Sequence, residues 1–75
     1  MRQQEIDNWF TYHAPTPEQL LAYDAIRKGA KEFAETINKF VHDSADKTAA
    51  MRKLREAAMT ANAGIACYVP PQENI

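Results

Sequence analysis

A chain of 75 residues with a single cysteine and a net charge of −1 is too small to depend on its own core. Below about 80 residues, one hydrophobic core rarely supplies more than roughly 3–5 kcal/mol, so small domains add disulfides, a metal or a partner chain. One cysteine excludes an internal disulfide, and His13, His42 and Cys67 lack the spacing of a metal site. By elimination, we expect stabilisation by oligomerisation, with no metal and no cofactor.

The nearly balanced charge, 9 basic against 10 acidic residues, disfavours a general DNA- or RNA-binding protein, because neutralising many phosphates requires a basic surface. No apolar run approaches the roughly 20 residues of a membrane span. The N-terminus from Met1 to Glu5 lacks an apolar signal region. We therefore expect a cytoplasmic protein that associates neither with long nucleic acids nor with membranes.

A short helix over Arg2 to Asn8, followed by an aromatic turn, is predicted for the N-terminal part of the chain. Trp9 and Phe10 are predicted to plug the core beneath the helices that follow. Tyr12 and His13 come just before a proline in a non-helical segment, where side chains can project away from the core. An aromatic face near a guanidinium is what a purine ring and its phosphate require.

A first long helix, predicted over residues 16–42, begins with Thr16-Pro17-Glu18. Threonine can cap the helix, proline has a preset φ at the first helical position, and glutamate faces the positive end of the helix dipole. Apolar residues then recur every three or four positions, as on one face of an amphipathic helix. This stripe consists of Leu20, Tyr23, Ile26, Ala30, Phe33, Ile37 and Phe40.

A second long helix, predicted over residues 44–68, follows a short break in which Asp43 or Ser44 is the expected cap. Its apolar stripe is rich in alanine, so the two helices can approach closely although each side chain buries little area. The short connection makes the two helices antiparallel neighbours. The stripe consists of Ala50, Met51, Leu54, Ala57, Ala58, Ala61 and Ile65.

The predicted fold is therefore all-α, a single helical-hairpin domain over residues 1–75. Residues 1–15 carry the short helix and the aromatic turn, and residues 69–75 form a tail. A lone hairpin leaves its flanks uncovered. In a homo-oligomer, a partner chain would bury the large apolar side chains that the hairpin leaves exposed. These are Trp9, Phe10, Leu21 and Val41.

Two basic clusters each allow two interpretations. On the first long helix, Lys28 and Lys31 have carboxylates four residues away, which is typical of a solvated face. Arg27 has no such partner and offers a planar fork to a phosphate. On the second long helix, a cluster of Arg52, Lys53 and Arg55 either lines a basic channel where chains meet or solvates the outer face.

No catalytic motif accompanies these clusters. The sequence contains no glycine-rich phosphate loop, no metal-binding motif and no serine–histidine–acid pattern with motif context. Cys67 is interpreted as a small apolar packing residue rather than a nucleophile. The residues alone therefore favour a binding protein over an enzyme.

Three segments, in their order and spacing, resemble the small phage anti-CBASS sponge family, whose hairpin domain is shared with phage proteins that antagonise Thoeris defence. The resemblance covers about residues 5–67. The segments are Phe10-Thr11-Tyr12-His13 leading into Pro15, Tyr23-Asp24-Ala25-Ile26-Arg27 followed by Ala30, and Lys53-Leu54-Arg55-Glu56-Ala57 running to Ala61-Asn62-Ala63-Gly64-Ile65-Ala66.

The resemblance implies a compact homohexamer of helical hairpins that sequesters cyclic oligonucleotide messengers, such as cGAMP, without cleaving them. A bound messenger cannot activate the CBASS effector, so the infected bacterial cell does not abort. Cyclic dinucleotides would bind at sites shared between protomers. Some members of the family also hold cyclic trinucleotides at separate basic pockets.

The resemblance also implies roles for particular residues. Tyr12 matches the tyrosine that stacks on the bases of a cyclic dinucleotide. The basic position that holds phosphate falls at Arg27 or Lys28, with Arg27 favoured, and His13 and Gly29 would lie near the same site.

A trinucleotide pocket would depend on Arg52, Arg55 and Asn62. Cys67 stands where the family often has a basic residue that helps to bind trinucleotides, so this sequence departs from the pattern there. The expected trinucleotide binding is correspondingly absent or weak.

Two functions of other classes stay open beside the sponge. A small oligomeric regulator would bind a protein partner through its apolar helix face. A weak enzyme would hydrolyse cyclic nucleotides. The fate of the nucleotide after mixing distinguishes the three.

Overall fold

The computed structural model of the chain describes residues 1–70, which contain three α-helices and no strand. The predicted all-α fold is therefore confirmed for this part of the chain. α2 ends two residues before the predicted boundary at 42, and α3 ends two residues before 68; the predicted tail lies outside the described residues from 71 onward. The helices are α1 (Gln3–Trp9), α2 (Pro17–Phe40) and α3 (Ala45–Ala66).

α2 and α3 pack against each other as an antiparallel pair. At one end of the pair, the Gln19 side-chain amide donates to the carbonyl of Ile65 (3.2 Å). At the other end, Lys47 Nζ donates to the carbonyl of Asn38 (3.3 Å). The start of α2 thus lies beside the end of α3, which gives the hairpin that the two apolar stripes predict.

Both long helices begin at side-chain caps. The Thr16 hydroxyl accepts from the Gln19 backbone N–H (3.1 Å), and Gln19 Oε1 accepts from the Thr16 backbone N–H (3.0 Å), which together form a capping box. At α3 the cap is Ser44, whose hydroxyl accepts from the Lys47 backbone N–H (3.1 Å). Ser44 is therefore the cap among the two candidates.

Removing the α2 cap is expected to destabilise the protein measurably. Thr16→Ala leaves the Gln19 backbone N–H without its acceptor, and loss of such a cap lowers the free energy of unfolding by about 1 kcal/mol. Thr16→Ser keeps the hydroxyl and should stay close to the parent. Urea unfolding at one fixed protein concentration measures both, because oligomer stability depends on concentration. Equal stability of the alanine and serine variants would contradict the role of the box.

The apolar stripe predicted for α2 has a half-buried centre and exposed flanks, and no side chain among residues 1–70 is fully buried. At about 100° per residue, a stripe of this length spans a wider arc than one neighbouring helix can cover. The half-buried members are Tyr23, Ile26, Ala30 and Ile37, and the exposed members are Leu20, Phe33 and Phe40. On α3, Ala57 and Ala61 are likewise exposed.

Trp9 and Phe10 do not plug the core of the hairpin, so that prediction is wrong. Phe10 is 82% exposed and Trp9 58% exposed. Together with Met59 and Cys67 they line an open apolar groove of about 540 Å³ on the flank of α3. The reason is geometric: α1 ends beside α3 instead of crossing over the contact between α2 and α3, so its aromatic residues lie at the edge of the hairpin.

Among residues 1–70, no helix is long and apolar enough to cross a membrane. Within the same residues, no group of three or more histidine, cysteine, aspartate or glutamate side chains is arranged to hold a metal ion.

Candidate ligand site

Tyr12 lies in the irregular segment between α1 and α2, and its side chain is 84% exposed. Hydrogen bonds hold the backbone on both sides of it. The Thr11 hydroxyl donates to the carbonyl of Asp7. His13 Nε2 donates to the carbonyl of Asn8 (2.7 Å), because a carbonyl can only accept. The ring is thus presented to solvent from an anchored backbone, which suits it to stack on a planar ligand.

Arg27 and Lys28 share one carboxylate on the exposed side of α2. Arg27 Nη1 lies 3.7 Å from Asp24 Oδ1, and Lys28 Nζ lies 3.1 Å from Asp24 Oδ2. Arg27 thus has an ionic partner at a spacing of three residues, although it has no carboxylate four residues away. Exposed pairs of this kind contribute little, about 0–1 kcal/mol. An incoming phosphate can therefore compete for the guanidinium at small cost.

Arg27 and Asn62 line two adjoining open grooves between α2 and α3. One groove, of about 680 Å³, also contains Tyr23 and Asp24. The other, of about 330 Å³, adds Lys31 and Arg55 to a floor of alanine, methionine, leucine and isoleucine side chains. The structure thus brings Arg27 together with Arg55 and Asn62, which the family resemblance assigned to two different ligands. Tyr12 lines neither groove.

Asn62 carries a polar atom without a partner. Its side-chain oxygen Oδ1 is buried and accepts no hydrogen bond within residues 1–70. Buried polar atoms are nearly always paired in folded proteins, and leaving one unpaired costs about 1–3 kcal/mol. Arg27 and Arg55 line the same groove as Asn62, so this unpaired oxygen lies in a groove that also carries two arginines.

The remaining residues predicted for the site are dispersed. Lys28, Gly29 and Arg52 are exposed and line neither groove between α2 and α3. A Cβ added at Gly29 would meet nothing within 4 Å, so nothing in the single chain requires glycine there. Cys67 lies in the apolar groove beside Trp9. The four residues proposed for trinucleotides are therefore not collected in one groove of a single chain.

Asn8 and Gln19 are polar residues of the site region that the sequence analysis did not single out. The Asn8 side-chain amide donates to the carbonyl of Cys67 (3.0 Å), and Gln19 joins α2 to the carbonyl of Ile65. For Gln19 a signal was present, since a threonine followed three residues later by glutamine is the pattern of a capping box. For Asn8 no local pattern indicates a bond to a residue 59 positions away.

The fold and the exposed groups define a class of protein: a small helical hairpin that presents an aromatic ring and several cations on an incompletely covered surface. The chain matches the family model described as Acb2/Tad1, hairpin domain, over residues 2–66, and it belongs to that family. This is a family of phage anti-defence sponges and not a known enzyme family. The predicted resemblance to the anti-CBASS sponge and Thoeris-antagonist family is thereby confirmed. No curated protein and no solved structure gives a significant match.

Proposed function

We propose that this chain sequesters cyclic oligonucleotide messengers, cyclic dinucleotides such as cGAMP in the first place, in the cytoplasm of an infected bacterium. It binds them without cleaving them and so prevents activation of CBASS effectors. The observation that carries the proposal is the family match over nearly the whole chain. The exposed Tyr12 ring, on a backbone anchored to α1, supports it.

In this proposal Tyr12 stacks on a base, and Arg27, or Lys28 in the neighbouring register, holds a phosphate. His13 and Gly29 lie near the same ligand. Since Tyr12 does not line the grooves that contain Arg27 in one chain, the site is completed by a second protomer. A few cations from two protomers suffice for two phosphates, which reconciles an anionic ligand with a net charge of −1.

The same reasoning leads us to a homo-oligomer, with a hexamer as the expected size. A chain in which no side chain of residues 1–70 is fully buried has no closed core of its own. The exposed phenylalanines of α2, Phe33 and Phe40, and the aromatic residues that end α1 are large enough to supply an interface.

One experiment separates the sponge from its alternatives. The purified protein is mixed with cGAMP, freed of unbound nucleotide on a desalting column and denatured, and the released nucleotide is identified by mass spectrometry. A sponge returns intact cGAMP, an enzyme returns a cleaved product, and a protein-binding regulator returns nothing. The linear dinucleotide pGpA, carried through the same steps, controls for nonspecific retention.

The protein-binding alternative has an observation of its own. The apolar groove lined by Trp9, Phe10 and Met59 offers a surface for a partner helix. Failure to retain any cyclic nucleotide would make this regulator the leading function.

For cyclic trinucleotides, we expect binding to be absent or weak in the unmodified protein and stronger in Cys67→Arg. A charge-assisted contact with phosphate contributes about 1.5–3 kcal/mol, or roughly 10–150-fold in affinity. Cys67→Met adds similar bulk without charge and should not bind more tightly. Calorimetry with a cyclic trinucleotide compares the three proteins. Tight binding by the unmodified protein would instead assign the pocket to Arg52, Arg55 and Asn62 alone.

A further inference from the structure

Asn8, in the last turn of α1, joins three parts of the chain at one point. Its side-chain amide donates to the carbonyl of Cys67, the C-cap of α3, over 3.0 Å. Its own carbonyl accepts from His13 Nε2 at 2.7 Å and lies 3.8 Å from the Cys67 thiol. Asn8 and His13 are both half-buried in an otherwise exposed region. The N-terminal helix, the end of α3 and the aromatic segment (residues 10–13) therefore meet at Asn8.

These bonds bear directly on Tyr12, which is the residue before His13. An 84% exposed ring has too few contacts of its own to fix its direction, so the backbone on either side determines where it points. On one side the backbone is held by the Thr11 hydroxyl on the Asp7 carbonyl, and on the other by His13 on the Asn8 carbonyl. Both acceptors belong to the last turns of α1, and α1 is in turn joined to α3 by the Asn8 side chain.

We propose that Asn8 is a positioning residue for Tyr12. Its bond to Cys67 fixes α1 on α3, and its carbonyl fixes His13, so the backbone that carries the Tyr12 ring is ordered before a ligand arrives. A group that is ordered in advance loses less conformational entropy on binding, and this raises affinity without adding a contact. The role of Tyr12 as the stacking group rests on the proposed function, whereas the anchoring of the segment does not require a ligand.

The structure also indicates which features of residue 67 matter for this anchor. The acceptor is the backbone carbonyl of Cys67, which every amino acid supplies. Cys67→Ala should therefore leave the aromatic segment anchored, although it removes the thiol. Asn8→Ala, by contrast, removes the side-chain amide that binds the Cys67 carbonyl, and it keeps the Asn8 carbonyl, which His13 uses and which lies near the Cys67 thiol.

A ligand-free measurement tests the anchor itself. Chymotrypsin cleaves after aromatic residues in segments that open locally, so the rate of cleavage after Phe10 and Tyr12 reports how firmly the segment is held. Asn8→Ala is expected to raise this rate about 3- to 10-fold, the effect of losing one side-chain hydrogen bond. Gln3→Ala is the matched control, because Gln3 Nε2 donates to Asp7 Oδ1 (2.8 Å) entirely within α1. An unchanged rate in an intact Asn8→Ala oligomer would overturn the proposal.

Should Asn8→Ala fail to assemble, His13→Ala serves the same purpose, since it breaks the next bond without touching α3. His13→Gln keeps a donor at the end of the side chain and should restore the parental cleavage rate. Cleavage that is equally slow in His13→Ala and in the parent would count against the anchor as directly as the Asn8 result.

A double-mutant cycle tests whether the anchor acts through Tyr12. Asn8→Ala should weaken binding of cGAMP about 3- to 10-fold in the parent and have no effect in the Tyr12→Ala background. An equal loss in both backgrounds would mean that Asn8 acts elsewhere, for example on overall stability. If the parent binds no cyclic dinucleotide, the proposed function fails, while the cleavage rates still decide whether Asn8 anchors the segment.

Discussion

Replacing Ile37 by aspartate is expected to prevent folding, whereas the same change at Phe40 is expected to dissociate the oligomer and, because residues 1–70 of a single chain form no closed core, to lose much of the helical structure with it. Ile37 is half-buried on the central face of α2. Deleting a buried isoleucine side chain costs about 2–5 kcal/mol, and a carboxylate without a partner adds a desolvation penalty. A single core of this size supplies only about 3–5 kcal/mol. Even the share of this cost that applies to a half-buried side chain is a large fraction of the stability that the hairpin has.

Phe40 differs from Ile37 because it is 72% exposed in the single chain. Aspartate there removes nothing from the contact between α2 and α3. If a partner chain buries the ring, the loss per site is about 1.5–3 kcal/mol, and a symmetric assembly suffers it at every copy. Asn38→Asp is the matched control, since it adds the same charge on the opposite side of the same helix.

Circular dichroism reports the helices, and light scattering reports the mass of the assembly. We expect loss of assembly with a reduced helical signal for Phe40→Asp, loss of both signals for Ile37→Asp, and both signals intact for Asn38→Asp and the parent. A parent that is a folded monomer at low micromolar concentration would contradict both the argument from core size and the proposed homohexamer.

The parts of this fold that the sequence predicts are those with local causes. Thr16 and Ser44 define helix starts through bonds to residues three positions away, Pro17 supplies a preset φ at the first helical position, and the spacing of apolar residues follows from helix geometry. Local sequence alone does not determine which residues of α2 contact the neighbouring helix. Periodicity indicates which residues share a side of the helix, but how much of that side is covered depends on the width and path of the neighbour. For this reason Leu20 and Phe33 are exposed although they belong to the predicted stripe.

The same distinction between local and distant contacts applies to the candidate site. The spacing of the family motifs identifies Tyr12 and Arg27. The ion-pair partner of Arg27 can also be read from the sequence, because Asp24 lies one helical turn before it. The bond between Asn8 and the carbonyl of Cys67 has no such signature, because any residue at 67 supplies the acceptor and the pairing arises only once α1 docks on α3. Side-chain bonds to distant backbone atoms are the contacts that sequence patterns leave out.

Replacing Tyr12 by alanine is expected to weaken cyclic dinucleotide binding at least about tenfold and to leave the oligomer intact. Stacking of a base on an aromatic side chain contributes about 1–3 kcal/mol by alanine substitution. The ring is 84% exposed, so its removal takes little from the folded chain. Tyr12→Phe keeps the stacking surface and should stay within about threefold of the parent. Tyr68→Ala removes another exposed tyrosine, one with no role in the proposed site, and should bind normally.

Arg27 completes this test because it separates the two possible registers of the phosphate contact. Arg27→Met keeps the length of the side chain and removes the charge, which should cost about 1.5–3 kcal/mol of binding if the guanidinium holds a phosphate. Lys28→Met removes a charge from the same ion-pair cluster at Asp24. The larger loss identifies the phosphate-binding position. Calorimetry on these variants, with light scattering as the control for assembly, measures the effects. Unchanged affinity in an intact Tyr12→Ala oligomer would mean that Tyr12 is not the stacking residue and that the base binds elsewhere.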